Sequence, residues 1–566
     1  MTTLPPAAPA ASPAPPELSS YLRHLPPVLW ERAPEPSGFS LGAALRIFEK
    51  ILTGIADDVA VPHGDHTHPA IADRIASLEL LFDPWRTPEE FLPWLASWVA
   101  LEFPTLDGQH LWDAYQRRKV TSEIARTYGM RGLRGGLNTL LDLYTVGSTR
   151  PRIALDDGSR VLTLTPGTTE RGSQVTALVT QGPVLAPGDR LWAEGLMRPT
   201  CVAAAGDGSL FLGDAGTPDG VTPVLPSRVW HLDANGGYAM TGAPPRPTPL
   251  ALAAGATALT RVVAVAVSPA HDGRPETLYA LDRSGRLYTA DAPYTAPLTQ
   301  LGTIGTSGTA LYPVAMAVDT NGDLLVLDRG VPPPSTAAAK VLTVKTAPLS
   351  TAPTTLTTVV EPLSLLVRPD GSLLVGDGGK QRPAGPAEFP GNVVTVSRAA
   401  GGWTEAPLLP AANPLVAPTA LALDRDGTTL YVLDAGLKPL QPSTGSTFTL
   451  KVAEPAVVHR IATGAGGRPP VPVPLTVPGS FVCPTGLTAT GGRLVISDYG
   501  VPDGTGQNTY LPRLQPYRLD VVVHFTDGRL PQDAAQRAKA RNQTIGAIHT
   551  LVEQNKPAHV LAVLVK

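Results

Sequence analysis

The sequence predicts a multidomain α+β chain: an N-terminal helical domain, a six-bladed β-propeller and a C-terminal β-α-β segment. Three observations predict it. Apolar residues recur at helical spacing between residues 18 and 150. Six copies of one strand–turn–strand–Asp unit fill residues 198–505. Residues 506–566 read strand, helix, strand.

Composition bounds the class. The 566 residues fit three or four domains at roughly 150 residues each. Gly (55) and Pro (61) make the chain turn-rich, while aromatics are only 5%. Lys plus Arg is 45 and Asp plus Glu 48, a net charge of −3, which argues against a wholesale electrostatic footprint for nucleic acid or an anionic bilayer. Two cysteines, Cys201 and Cys483, build neither a disulfide framework nor a thiolate metal site. Met1 to Pro16 has no basic start and no long apolar run, so neither a secretory leader nor membrane insertion is expected.

Each element has its reason. Residues 1–17 are a Pro/Ala arm too poor in large apolar side chains to fold. In 18–150, Leu41, Leu45, Phe48, Ile51, Leu52 and Ile55 form one apolar helix face, and Ile71, Ile75, Leu78, Leu81 and Phe82 form another. Thr87 is expected to cap the next helix, with Pro88 at its first position and Glu89 and Glu90 in its first turn. Helices over 111–128 and 133–144 follow, separated at Gly129. Residues 151–197 are a β-rich connector, whose Asp157-Gly158 predicts a hairpin between 152–155 and 161–164.

The six units of 198–505 each read apolar strand, tight turn, apolar strand, Asp, then Gly. Their marker aspartates are Asp214, Asp282, Asp328, Asp377, Asp434 and Asp498. A hairpin of this kind cannot bury both faces alone, and neighbouring units must cover it. Residues 331–339 and 380–391 read as loops between units. In 506–566, strand 518–525, helix 531–555 and strand 560–565 call for a right-handed crossover.

The ordered set of Ser20–Pro26, Phe48–Leu52, Phe82–Pro84 with Pro88–Trp98, Arg117-Arg118, Tyr128–Leu137 and Glu553–His559 resembles the phage tail protein I family. These are baseplate wedge proteins of contractile phage tails and of extracellular contractile injection systems. The resemblance covers residues 18–150 and 515–566. The intervening repeats resemble an NHL-type propeller, and the family implies that this propeller is inserted into a tail-protein scaffold. It also implies a bacterial structural protein assembled in the cytoplasm in several copies of a six-fold particle. Its partners there would be other wedge subunits, the sheath-proximal ring and spike-hub proteins.

Candidate sites follow. Arg117, Arg118, Arg131 and Arg134, with Lys556, Pro557 and His559 of the final turn, are assembly-interface candidates because arginine forks suit a partner's carboxylates. The marker aspartates read as structural, since an active site needs different residues on different blades. Trp94 and Trp98, four apart, are expected mostly in the helical core, whereas Trp85 and Trp112 stay open. His63–His68 reads as a polar loop and Asp319–Asp323 as a hairpin turn, so no metal or cofactor is expected. No catalytic residue is assigned. The first functional expectation is a structural baseplate subunit without chemistry of its own. A receptor- or glycan-binding propeller is the second, and a propeller hydrolase the third.

Overall fold

The computed structural model describes residues 19–30, 40–55, 70–103, 105–106, 109–110, 112–144, 151–169, 172–180, 195–216, 226–243, 245–271, 273–305, 311–330, 338–381, 387–399, 402–440, 449–452, 454–463, 470–500, 518–525 and 530–565. The expected arm 1–17 and the His63–His68 cluster lie outside these residues. The chain divides into two compact units, Met1–Ala125 and Arg126–Lys566.

The first unit is helical. Ser40 caps the helix Leu41–Thr53, its Oγ accepting the Ala43 N–H at 3.2 Å. Ile71–Ala76 and Leu92–Ser97 follow, and the Ala114–Tyr128 helix begins here, with the Asp113 carboxylate accepting the Gln116 N–H at 2.7 Å. Thr87 does not cap. Its hydroxyl is buried without a partner, and a short 3-10 turn, Glu89–Phe91, starts instead behind Pro88. The Thr87 carbonyl is what the fold uses, accepting Arg118 Nη1 at 2.7 Å.

The second unit holds the repeats. Six antiparallel sheets occur in it among the described residues, beyond short two-stranded ribbons. The four internal ones each have four strands: 262–303, 313–355, 362–407 and 418–474. The sheet of Pro199–Ala204, Leu210–Asp214 and Arg228–Leu232 has three. The sixth is composite: Pro484–Thr490 and Arg493–Asp498 are joined by Ser159–Thr165 and Gln174–Thr180. The first strands of the six units touch in cyclic order, the last against the first. No single sheet closes on itself among the described residues. Closure lies between sheets, in a propeller-like ring.

Period-two alternation builds that ring. In Leu324–Asp328, Leu324 and Val326 face the preceding sheet, while Leu325 and Leu327 face the next. Six separate apolar cores result, one per neighbouring pair of sheets. The sixth joins Val161, Val179 and Val495 to Leu210, Leu212 and Trp230. Second strands are therefore buried on both faces and read as unbroken apolar runs.

The Asp157-Gly158 hairpin does not form. Arg152–Asp156 pairs instead with Arg518–His524, which runs parallel to Leu561–Val565, and Ser159–Thr165 pairs with Arg493–Asp498. One chain passes from one sheet into the other at Asp157-Gly158, each strand pairing instead with a partner far away in the sequence. The expected connector 151–197 is thus shared between the two sheets. The helix Arg134–Tyr144 lays Leu137 and Leu141 on Ile153, Leu155, Val521 and Val523, with Ile548 and Val552 of the Ala534–Asn555 helix beside them. Residues 134–144 therefore belong with the C-terminal segment, and the division falls inside the Ala114–Tyr128 helix instead of at residue 150.

The six marker aspartates occupy equivalent places. Each ends the second strand of its unit and pairs across to the first residue of the first strand, just before a β-bulge. In four units the carboxylate accepts two consecutive N–H groups leading into the first strand and a third from the Gly two residues on. For Asp434 these are Val416 (2.7 Å), Ala417 (2.8 Å) and Gly436 (3.0 Å). For Asp498 they are Val482 (2.8 Å), Cys483 (2.9 Å) and Gly500 (2.9 Å). Asp377 repeats the pattern, and Asp214 adds the indole N–H of Trp230 at 2.9 Å. Asp328 accepts from Tyr312 and Gly330. Asp282 accepts from Thr260, Ser284 and Arg286. Glycine is required after the aspartate because φ there is positive, 61° at Gly436 and 77° at Gly500.

Two outcomes are expected. Asp434→Ala leaves buried N–H groups without an acceptor and should lower stability by about 3 kcal/mol in chemical denaturation, with Asp434→Asn costing less. A fragment of residues 156–500 should melt cooperatively in calorimetry. A 198–505 fragment, without the two outer strands of the sixth sheet, should melt lower or aggregate; equal melting would show those strands dispensable.

Candidate functional site

Each of the four arginine candidates has a partner within its own unit, although Arg131 is itself exposed. Arg117 is buried, pairs with Glu89 and lies over the Phe103 ring. Arg118 Nη1 donates to the carbonyls of Pro84 (2.8 Å) and Thr87 (2.7 Å). In the second unit Arg131 donates to Asn555 Oδ1 at 2.9 Å and lies over Tyr128. Arg134 bonds Asp157 and the Leu155 carbonyl, each at 2.9 Å. Arg118 and Arg134 thus donate to carbonyls, Arg117 to a carboxylate and Arg131 to a side-chain amide oxygen, so each ties two segments of its own unit. Lys556 Nζ donates to the Val560 carbonyl at 2.5 Å and pairs with Glu553 at 3.4 Å, which shapes the turn through Pro557. Ala558 and His559 stand exposed at its tip.

Large apolar side chains behave differently. Twenty-two are exposed among the described residues, and seventeen of these lie in the first unit. The expected buried helix faces are open: Phe48 is 59% exposed and Ile75 62%. Trp94 (40%) and Trp98 (63%) are exposed too, which corrects their placement in the core. Helical periodicity marks an apolar face but not what covers it. Trp94 and Trp98 pack edge-on at 5.0 Å between centroids, and Phe82 touches both rings at 5.9 and 5.6 Å. Trp112 is buried, and Trp85 is exposed against Tyr115.

The second unit contains a cavity of about 260 Å³ along the first strands of all six sheets. Apolar side chains such as Val262, Val314 and Leu487 line its length. At the aspartate end its lining turns polar, with Arg261, Arg283, Arg329, Tyr312, Glu361 and Tyr499. Arg329 pairs with Glu361 at 2.6 Å. Arg198 donates to Tyr499 Oη at 2.7 Å and lies over its ring. Arg261 has φ of 49°, a left-handed backbone that a residue with a Cβ adopts only under local strain. Both cysteines line this cavity, and burial pushes the Cys201 thiol up to about 11 and Cys483 up to about 12, so neither is a thiolate at neutral pH. Asp319–Asp323 is a hairpin turn between Pro313–Val318 and Leu324–Asp328, closed by the Asp319 carboxylate accepting the N–H groups of Asn321 and Asp323.

Where the ring meets the three-stranded sheet, Arg152 is buried with Nη1 unpartnered and Nη2 on the Val482 carbonyl at 3.2 Å. Across the strand pair from it lies His524. Burial, with Arg152 nearby, holds the His524 imidazole down at about 4.

No protein-family model matches the sequence, and no curated protein matches it. Among solved structures the chain is similar to a gluconolactonase of Xanthomonas campestris, XC5397, at 14% identity, covering 54% of this chain and 87% of that one, with a TM-score of 0.33. It is similar to a streptogramin B lyase at 11% identity, covering 61% and 97%, with a TM-score of 0.31. A chain of a nidogen/laminin complex gives 14%, 54% and 89%, with 0.33. These are β-propeller proteins, and the likeness concerns the propeller part alone. It also corrects one expectation. The chain was expected to have no chemistry of its own, yet a lactonase and a lyase are among its likenesses, so catalysis is not set aside. The likeness assigns no reaction to this chain.

A pH dependence follows from His524. Its folded pKa lies below the ordinary value of 6.5, so the unfolded chain binds the extra proton between about 6.5 and 4. Stability should be complete above pH 6.5 and fall as pH drops through that window, by on the order of 3 kcal/mol for this residue. Melting curves from pH 7.5 to 4.5 should show the fall, and His524→Asn should flatten it. Parallel curves would overturn the assignment.

Proposed function

We propose that this chain is a structural subunit of a phage-tail-like contractile injection particle, with a six-bladed, NHL-like propeller inserted into a tail-protein scaffold. The observation that carries the reading is the concentration of exposed apolar side chains in the first unit, around Phe82, Trp94 and Trp98. A helical unit with such faces uncovered suits burial against other proteins, since contiguous apolar surface of that kind marks interaction sites. The two regions that resemble the tail family supply the helix Arg134–Tyr144 and the C-terminal β-α-β segment, which share one core through Leu137, Leu141, Val521 and Val552. Wedge subunits, the sheath-proximal ring and spike-hub proteins are the proposed partners, met during cytoplasmic assembly.

The test uses the native particle. Trp94→Ser with Trp98→Ser removes aromatic surface that the fold already leaves exposed, so the isolated protein should keep its circular dichroism and its melting temperature. Incorporation, read by immunoblot of purified particles and by electron microscopy, should drop at least about tenfold, as expected for loss of two interface anchors. Incorporation at the wild-type level, or absence of the wild-type chain from purified particles, would overturn the reading.

A further inference from the structure

The repeats separate what is constant from what varies. In every unit the aspartate holds the same lead-in to the first strand. The residue just before that strand and the residue just after the aspartate are not constrained by the carboxylate, which takes only backbone N–H groups there. Where side chains from these two positions line the channel mouth, they differ from sheet to sheet. The second sheet contributes Arg261 and Arg283, the third Tyr312 and Arg329, and the fourth Glu361. Across from them the fifth contributes only Ala435, and the sixth Cys483 and Tyr499. One side of the mouth is thus cationic, the other small or aromatic, and the channel behind it is apolar. Different residues at equivalent places are what a binding site needs and what fold maintenance does not.

We propose that this mouth binds a small oxyanion, a carboxylate or phosphate group carried on a compact body that enters the channel. Guanidinium forks match the planar or tetrahedral oxygens of such a group, and the low-polarity wall behind them strengthens the attraction. Arg329 is held by Glu361 at 2.6 Å, so Glu361 is a built-in competitor for an arriving anion. Arg261, held in its left-handed conformation, places a second guanidinium at the same rim. The site belongs to the propeller-like ring and is the same whether or not the chain is part of a particle.

Calorimetric titration of the full chain with inorganic phosphate, with glucuronate and with neutral glucose tests this. Phosphate or glucuronate should bind and glucose should not, and affinity should fall as salt rises. Whichever anion binds identifies the source of the oxyanion. Arg283→Ala should weaken binding about tenfold or more. Glu361→Gln should instead tighten it severalfold, because it frees Arg329; its backbone N–H still donates to Asp377, so it should fold. That second variant decides the matter if Arg283→Ala melts early. Absence of binding of both anions at about 10 mM, or affinities unchanged by Glu361→Gln, would overturn the proposal.

Discussion

A ring of sheets holds together only if its last member is fastened to its first, and here that fastening is made by strands from both sides of the ring. Ser159–Thr165 and Gln174–Thr180 precede the first repeat, yet they complete the sheet begun by Pro484–Thr490 and Arg493–Asp498. Hydrogen bonds between residues more than three hundred positions apart thereby lock the circle. The two apolar cores flanking that sheet, one with Phe481 and Ile496 and one with Val495 and Trp230, depend on the same fastening. At the seam stands a fully buried pair, Arg160 Nη1 with Asp156 at 2.9 Å, and Arg160 Nε also donates to the Met197 carbonyl. Removing one partner of such a pair would strand a charge in a low-dielectric interior.

Within the ring, the aspartate staples do locally what the seam does globally. Each fixes the angle at which the chain enters a new sheet, using chiefly backbone donors, with the Trp230 indole added at Asp214. Side chains at neighbouring positions are released from structural duty, and this release allows a cationic rim on one side of the channel and a small-residue rim on the other. The same economy governs the outer scaffold. There Arg131 reaches the end of the Ala534–Asn555 helix, Arg134 ties its own helix to the Arg152–Asp156 strand, and Gly479 approaches the Ile153 carbonyl so closely that a Cβ would come within 2.9 Å of it.

Much of this was legible in the sequence, for identifiable reasons. The repeat units announce themselves because strand alternation, a tight turn and an Asp-x-Gly end are all local signals. The seam does not, because pairing between 161–164 and 494–497 leaves no mark within either segment, while Asp157-Gly158 imitates a hairpin. Trp94 and Trp98 stand exposed against expectation because four-residue spacing shows that one helix face is apolar and says nothing of its neighbour. The partners that the arginines of 117–134 find within the chain, Glu89, Asn555, Asp157 and the carbonyls of Pro84, Thr87 and Leu155, leave no local mark in the sequence. The channel mouth leaves no local signal at all. Its residues are scattered over six repeats, and only superposing the repeats on their aspartates would have brought Arg261, Arg329 and Glu361 into one ring.

The strand exchange at Asp157-Gly158 has a consequence for heredity. The chain leaves the three-stranded sheet at Asp156, enters the ring at Ser159, finishes it at Gly500 and rejoins the first sheet at Arg518. Two genetic breakpoints, one just before codon 156 and one after codon 500, would therefore excise a circle whose ends are already sealed to each other and which keeps the Asp156–Arg160 pair intact. Recombination at those points exchanges one complete ring for another and leaves the core of Leu137, Val521 and Val552 untouched. Breakpoints placed at the first visible repeat would instead sever the seam and deliver a ring that cannot shut.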